Sequence, residues 1–334
     1  MELDLPLIWA AIIAFAILAY VILDGFDLGV GILFPLIRGE KHKDLAMNTV
    51  APVWDGNETW LVLGGGGLFA VFPLAYAVVM PALYAPIIAM LLALVFRGVA
   101  FEFRWRTVRG KFLWDWSFFG GSIMAAFAQG VALGALVQGI TIEGRGYGGG
   151  NWDWLTPFSL LTGVSVVIGY ALLGATWLVM KTDGYVRERG MRFAWITGAG
   201  TFVAIGLVSL ITPFLHPDYL ARWFDMPNVL FTLWVPALLL VAAWFFVRGL
   251  REERDAWPFL AALTAFVLSF VGLGISFYPN MVPHDLTIWQ AAAPDESLLF
   301  LLVGAVVLVP MILIYTGYAY WVFRGKVDPE HGYH

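Results

Sequence analysis

Residues 59–96, TWLVLGGGGLFAVFPLAYAVVMPALYAPIIAMLLALVF, run for 38 positions without a charged side chain. A helix needs about 20 apolar residues to cross a bilayer, so this stretch holds two crossings. A turn near Phe72-Pro73 or around Pro81 would divide them. Seven further uncharged runs surround it, at 5–23, 116–142, 154–180, 193–217, 226–247, 256–284 and 297–323. Each suits one crossing, which brings the expected total to nine membrane helices.

Composition points the same way. Of 334 residues, 60% are hydrophobic and 13% charged, and the mean hydropathy is +0.80. A soluble domain has roughly 45–50% apolar and about 25% charged residues. A soluble enzyme and a disordered chain are therefore excluded, and the net charge of −5 leaves no basic footprint for nucleic acid. The chain has no cysteine, which removes disulfides, iron–sulfur clusters and thiolate chemistry.

Charge also sets the expected orientation. Sixteen of the nineteen Lys and Arg residues fall in alternate loops, at 38–43, 104–111, 181–192 and 248–254, and in the tail at 324–326. The intervening loops hold only Arg145 and Arg222, and Arg97 lies inside an apolar stretch. Basic residues collect on the cytoplasmic side, so nine helices run from an outer N-terminus to a cytoplasmic C-terminus. The acidic start, Met1-Glu2-Leu3-Asp4, does not read as a cleavable signal. The whole chain, 1–334, reads as one membrane domain.

A few polar residues sit where loops do not explain them. Asp24 and Asp27 interrupt the first apolar stretch, Asp55 and Glu58 open the second helix with Asn57 beside them, and Arg97 and Glu102 close the third. Asp24/Asp27 and Asp55/Glu58 are i, i+3 pairs, so each pair shares a helix face. Trp54 and Trp60 flank the second pair. Charge inside a membrane is costly and marks proton relays or ion paths. Arg97 could hold a neighbouring carboxylate ionised or bind a cofactor propionate. Plainer readings stand beside these: a favourable helix dipole for Asp55 and Glu58, interfacial snorkelling for Arg97, and capping at a glycine-rich break for Asp24 and Asp27.

Other features weigh less. Gly25/Gly29 and Gly130/Gly134 have the small-residue spacing that lets helices approach. Gly64 to Gly67 read as close packing or a kink, and Gln129 as a bridge to another helix. The five histidines, His42, His216, His284, His331 and His334, all lie in loops, in the tail or at helix ends. A chain that ligated haem within the membrane would need them mid-span, so no metal ligand is expected here.

The polar stretches carry a resemblance. Asp24-Gly25-Phe26-Asp27-Leu28-Gly29-Val30-Gly31, Ala51-Pro52-Val53-Trp54-Asp55-Gly56-Asn57-Glu58-Thr59-Trp60-Leu61 and Phe96-Arg97-Gly98-Val99-Ala100-Phe101-Glu102-Phe103-Arg104 resemble the first three helix signatures of subunit II of cytochrome bd quinol oxidases. Tyr278-Pro279-Asn280-Met281-Val282-Pro283, with Leu286-Thr287-Ile288-Trp289, and Val309-Pro310-Met311-Ile312-Leu313-Ile314-Tyr315-Thr316 are similar to later segments of that family.

The resemblance implies an all-α polytopic membrane protein. Its nine helices would form two four-helix bundles, at 1–140 and 155–280, with one further helix at 297–323. It implies a non-catalytic subunit in the bacterial cytoplasmic (inner) membrane. The haem-bearing subunit I would be its partner, holding heme b and heme d and oxidising a quinol while oxygen is reduced to water. A structural quinone, a small accessory subunit and membrane lipid are further candidate ligands and partners. The resemblance makes Asp55 the leading proton-path residue, with Glu58, Asp24, Asp27 and Asn57 as candidates. Arg97, Glu102, Trp54 and Trp60 become cofactor-proximal or structural. The short chain and the 278–282 segment look more like the cyanide-insensitive branch. Two other functions compete: a pure scaffold, and a secondary transporter or ion channel.

Overall fold

The computed structural model describes residues 3–328, so His331, His334 and the Met1-Glu2 start lie outside the described residues. The chain forms α1 (Leu5–Leu33), α2 (Glu40–Asn48), α3 (Trp54–Val71), α4 (Pro73–Ala82), α5 (Tyr84–Arg106) and α6 (Lys111–Val137). A short hairpin, β1 (Ile142–Glu143) and β2 (Gly146–Tyr147), precedes α7 (Pro157–Lys181) and α8 (Gly184–Ile211). Then come α9 (Pro217–Phe224), α10 (Asn228–Thr232), α11 (Trp234–Arg251) and α12 (Trp257–Phe277). A second hairpin, β3 (Asn280–Val282) and β4 (Leu286–Thr287), leads through α13 (Ile288–Ala291) to α14 (Asp295–Val322).

Among the described residues, eight helices are long and apolar enough to cross a membrane: α1, α5, α6, α7, α8, α11 with α10, α12 and α14. The stretch expected to form the ninth crossing is α3, which falls short because Asp55, Asn57, Glu58 and five glycines dilute its 18 residues. The uncharged run 59–96 divides near both of the alternative places, at Phe72 and just past Pro81. Phe72 and Leu83 leave the helical conformation, and the ten residues between them form α4 as a separate element.

Helix α7 is the centre of the assembly, with α1, α6, α8 and α12 packed around it. Both small-residue pairs of the sequence lie on its contacts. A methyl group on Gly29 would come within 2.6 Å of the Gly174 backbone nitrogen, and one on Gly25 within 2.9 Å of the Tyr170 ring. On the other side, a methyl on Gly130 would sit 2.7 Å from Gly163 Cα and one on Gly134 2.6 Å from Ser159 Cα. Without a hydrophobic drive between helices in lipid, such backbone-to-backbone approach supplies the dispersion contact. Gly64 and Gly67 similarly face Ile17 and Ile13 of α1, while Gly65 and Gly66 face outward and α3 runs on unbroken.

Hydrogen bonds tie the helices together at two ends. At the N-terminal end, Trp9 Nε1 donates to the Leu298 carbonyl at 3.0 Å, and Ala293 N to the Val71 carbonyl at 2.8 Å. At the opposite end, ion pairs do the tying. Arg104 is fully buried and bonds Asp115 at 2.6 Å and Asp44 at 2.6 Å, while Lys43 reaches Asp115 at 2.6 Å. Lys326 bridges Asp183 at 2.5 Å and Asp255 at 2.8 Å, holding the tail against the ends of α8 and α12. By contrast α14 lies almost outside the packed mass, with only 6% of its most apolar window buried.

A neutral bridge stitches the middle. Gln129 on α6 donates through Nε2 to the Tyr20 hydroxyl of α1 at 2.8 Å and accepts from the Tyr170 hydroxyl of α7 at 2.7 Å. Gln129→Leu removes both bonds and leaves two buried tyrosine hydroxyls short of a partner. Each such group costs about 1–3 kcal/mol. A clear drop in the thermal midpoint of the purified protein is expected, and an unchanged midpoint would show that the bridge contributes nothing.

Candidate functional site

Three helices bring the out-of-place charges together. Asp24 and Asp27 come from α1, Asn57 and Glu58 from the start of α3, and Arg97 from the interior of α5. Asp24, Asp27 and Arg97 have no solvent exposure at all, and Asn57 has 1%.

Arg97 is the hub. Its Nη1 donates to Asp24 Oδ1 at 2.5 Å and lies 3.5 Å from Glu58 Oε1. The guanidinium also sits over the Trp54 ring at 5.9 Å and the Phe101 ring at 6.0 Å, and those two rings stack at 4.8 Å. A charge buried so fully requires a charged partner, and Asp24 supplies it. Snorkelling is therefore overturned as the account of Arg97, since its head group has no exposure with which to reach an interface.

A second branch runs from Asp27. Asn57 Nδ2 donates to Asp27 Oδ2 at 2.7 Å and to the Leu23 carbonyl at 3.3 Å. Tyr320, near the end of α14, donates its hydroxyl to Asn57 Oδ1 at 2.9 Å. The amide thus reads one carboxylate and one phenol at once and fixes α14 against α1 and α3. Three acceptors in the cluster, Asp24 Oδ2, Asp27 Oδ1 and Glu58 Oε1, are buried with no hydrogen-bond partner among the described residues.

Glu58 leads outward, with its side chain 25% exposed. Asp55, one turn earlier, is exposed and stands off the cluster. Glu102 is exposed too and pairs only with Arg106 at 3.8 Å. Asp24, Asp27 and Glu58 thus gather around Arg97, whereas Asp55 and Glu102 stand apart from it. The reason is helical phase. Asn57 and Glu58 point into the bundle, while Asp55, roughly 200° round the helix from Asn57 at ~100° per residue, points out. Trp60 is buried at 1% exposure, in an edge-to-face contact with Phe15 at 5.6 Å, and serves packing. Tyr320 and the Arg104 network were not singled out in the sequence. No local signal separates Tyr320 from its neighbours Tyr315 and Tyr318, and Arg104 looks like any loop arginine.

The donor set is that of a proton-conducting or ion-paired cluster. It offers carboxylates, a guanidinium, amides and phenols, and the described histidines, His42, His216 and His284, lie at helix ends or in loops. The residues inside the spans therefore do not fit haem ligation.

Comparison with known proteins follows that geometry. The family model of cytochrome bd terminal oxidase subunit II matches residues 5–323. Cytochrome bd-I ubiquinol oxidase subunit 2 of Escherichia coli (strain K12) is 31% identical, over 98% of this chain and 96% of its own. Cytochrome bd ubiquinol oxidase subunit 2 of Bacillus subtilis (strain 168) is 30% identical, over 96% of each. A chain of the bd oxidase structure from Geobacillus thermodenitrificans superposes with a TM-score of 0.75 at 18% identity, covering 96% of this chain and 100% of that one, which is a likeness of fold.

Proposed function

This chain belongs to the cytochrome bd terminal oxidase subunit II family, and from that membership we infer that it is the non-catalytic second subunit of a cytochrome bd-type quinol:oxygen oxidoreductase. It is a multi-pass protein of the bacterial cytoplasmic (inner) membrane, and its partner is the haem-bearing subunit of the complex. Heme b, heme d and the quinol substrate are assigned to that partner, consistent with the absence of mid-span histidine in this sequence.

For the finer architecture we propose nine crossings, with α3 as the ninth. Its 18 residues extend about 27 Å at ~1.5 Å per residue, enough for most of the hydrocarbon layer, with α4 completing the turn. The asymmetry of basic residues supports an outer N-terminus and a cytoplasmic C-terminus. The packing of α1, α3, α5 and α6, and of α7, α8, α11 and α12, supports two four-helix bundles with α14 as the additional helix.

We further propose that the chain supplies a cytoplasmic proton path. Reduction of oxygen to water consumes protons, and drawing them from the cytoplasm makes the reaction electrogenic. The observation that carries this reading is the continuity from half-buried Glu58 to Arg97 and fully buried Asp24, with exposed Asp55 one turn before Glu58 at the start of α3. Three carboxyl groups to one guanidinium leave carboxyl groups able to carry exchangeable protons, and their unpartnered oxygens are the atoms on which such protons would sit.

A scaffold reading rests on one specific observation. Asp24, Asp27, Asn57 and Arg97 cross-link α1, α3, α5 and α14 from the inside. Glu58→Gln and Asp55→Asn separate the two. A relay predicts oxygen consumption per haem lowered on the order of 100-fold, the lower edge of what a positioned proton-transfer group contributes, with haem content preserved. A scaffold predicts reduced haem content with unchanged turnover per haem. Normal values of both would refute the path through these two residues.

A further inference from the structure

At the N-terminal end of the bundle, two histidines distant in sequence meet face to face. His216 caps the start of α9 and His284 sits in the β3–β4 turn, and their rings stack at 3.6 Å between centroids and 22° between planes. Asp218 joins them, its Oδ2 3.5 Å from His216 Nδ1. One potential ligand atom from each of the three lies within 4.8 Å of the others.

The surroundings hold this arrangement in place. His284 has a positive φ of 78°, a conformation that non-glycine residues adopt rarely. Its Nε2 is buried and has no hydrogen-bond partner. Gly139, itself at a φ of 89°, gives the ring room, since a methyl group there would lie 2.8 Å from His284 Cδ2. Tyr219 packs on His284 at 4.9 Å and anchors α9 by donating its hydroxyl to the Val137 carbonyl at 2.9 Å. The nearest cation, Arg222, is committed to the Ser276 carbonyl. A backbone held at positive φ that leaves an imidazole nitrogen buried without a partner, beside a second imidazole and a carboxylate, has a cost and no return within the protein itself.

We propose that His216, Asp218 and His284 form a binding site for a divalent first-row cation of the zinc class. Two imidazoles and one carboxylate are the nitrogen-rich set that zinc and its neighbours favour over magnesium or calcium. Three protein ligands leave a further position for water. Metal–ligand bonds of about 2.0–2.2 Å place donors ~3.5 Å apart in a tetrahedral site. Closure from a separation of up to 4.8 Å therefore needs a shift of about 1.3 Å together with a turn of the stacked rings, within reach of rotation by the partly exposed His216 and Asp218 side chains. The ion would pin the α8–α11 connection to the β3–β4 hairpin. This site is independent of the buried charge cluster and of the proton path.

The test uses the intact haem-bearing complex, stripped with a chelator and equilibrated with a small excess of Zn²⁺ in the presence of excess Mg²⁺. Elemental analysis is expected to find one more zinc per complex in the wild type than in a His216→Asn, His284→Asn double variant. Asparagine retains the helix cap at position 216 and tolerates positive φ at 284, so both replacements preserve the backbone. X-ray absorption at the zinc edge of the wild type is expected to show imidazole scattering. Asp218→Asn, at an exposed position, should lower zinc retention without touching either ring. Equal zinc in the wild type and the variants, or a wild type that retains none, would overturn the proposal even if the double variant assembled poorly.

Discussion

Replacing Arg97 with methionine is expected to abolish accumulation of the assembled complex. Asp24 has no solvent exposure, and Arg97 is its only cationic partner among the described residues. Removing one member of a buried ion pair leaves an uncompensated charge, at a cost of about 3–5 kcal/mol. That is a large fraction of the ~5–15 kcal/mol by which a typical protein is stable. Glu58 would lose its nearest cation at the same time. The measurement is haem-bearing complex per milligram of membrane, with a thermal melt of whatever assembles. Asp24→Asn added to Arg97→Met should recover part of the loss, because the remaining group is then neutral. Wild-type accumulation of the single variant would show that Asp24 needs no counter-charge.

A comparable failure is expected from Gly29→Leu. The obstacle here is backbone, since even a methyl at position 29 would press on the Gly174 nitrogen at 2.6 Å. A flexible side chain could move away, but a helix backbone cannot move without its neighbours. Overpacking typically costs about 1–3 kcal/mol and occasionally more, and this contact joins α1 to the central α7, so a value at or above the top of that range is expected. Gly29→Ala should show an intermediate loss. Gly206 has open space around it, so Gly206→Ala should be neutral, or stabilising by up to ~1 kcal/mol through helix propensity. Yield and thermal midpoint of the complex check the series, and equal behaviour at positions 29 and 206 would dismiss the close-approach argument.

Much of this was legible in the sequence because charge is scarce in it. Gaps between charged residues locate the helices, and the same scarcity singles out Asp24, Asp27, Glu58 and Arg97, which the structure brings together. The reading fails where one residue type serves two settings. Arg104, Arg106 and Arg109 share one basic segment, yet only Arg104 is buried among Asp44 and Asp115, because α2 folds its acidic side over that end. Spacing alone also misleads at α3. An i, i+3 pair shares a face, but which face meets the bundle depends on the neighbours, and there Asn57 takes the inward position while Asp55 points out. The paired histidines at 216 and 284 are separated by the four helices α9 to α12, so no local motif announces them.

Helix α14 holds to the rest mainly at its two ends, through Leu298 near its start and Tyr320 and Phe323 near its finish. Helix α14 follows every other described helix along the chain, so the Asn57 amide meets its phenol only once residue 320 is in place. A chain that stops short of residue 320 therefore inserts with its innermost polar cluster uncapped. A contact made near the end of α14 thereby becomes a condition for closing a polar cluster built by α1, α3 and α5.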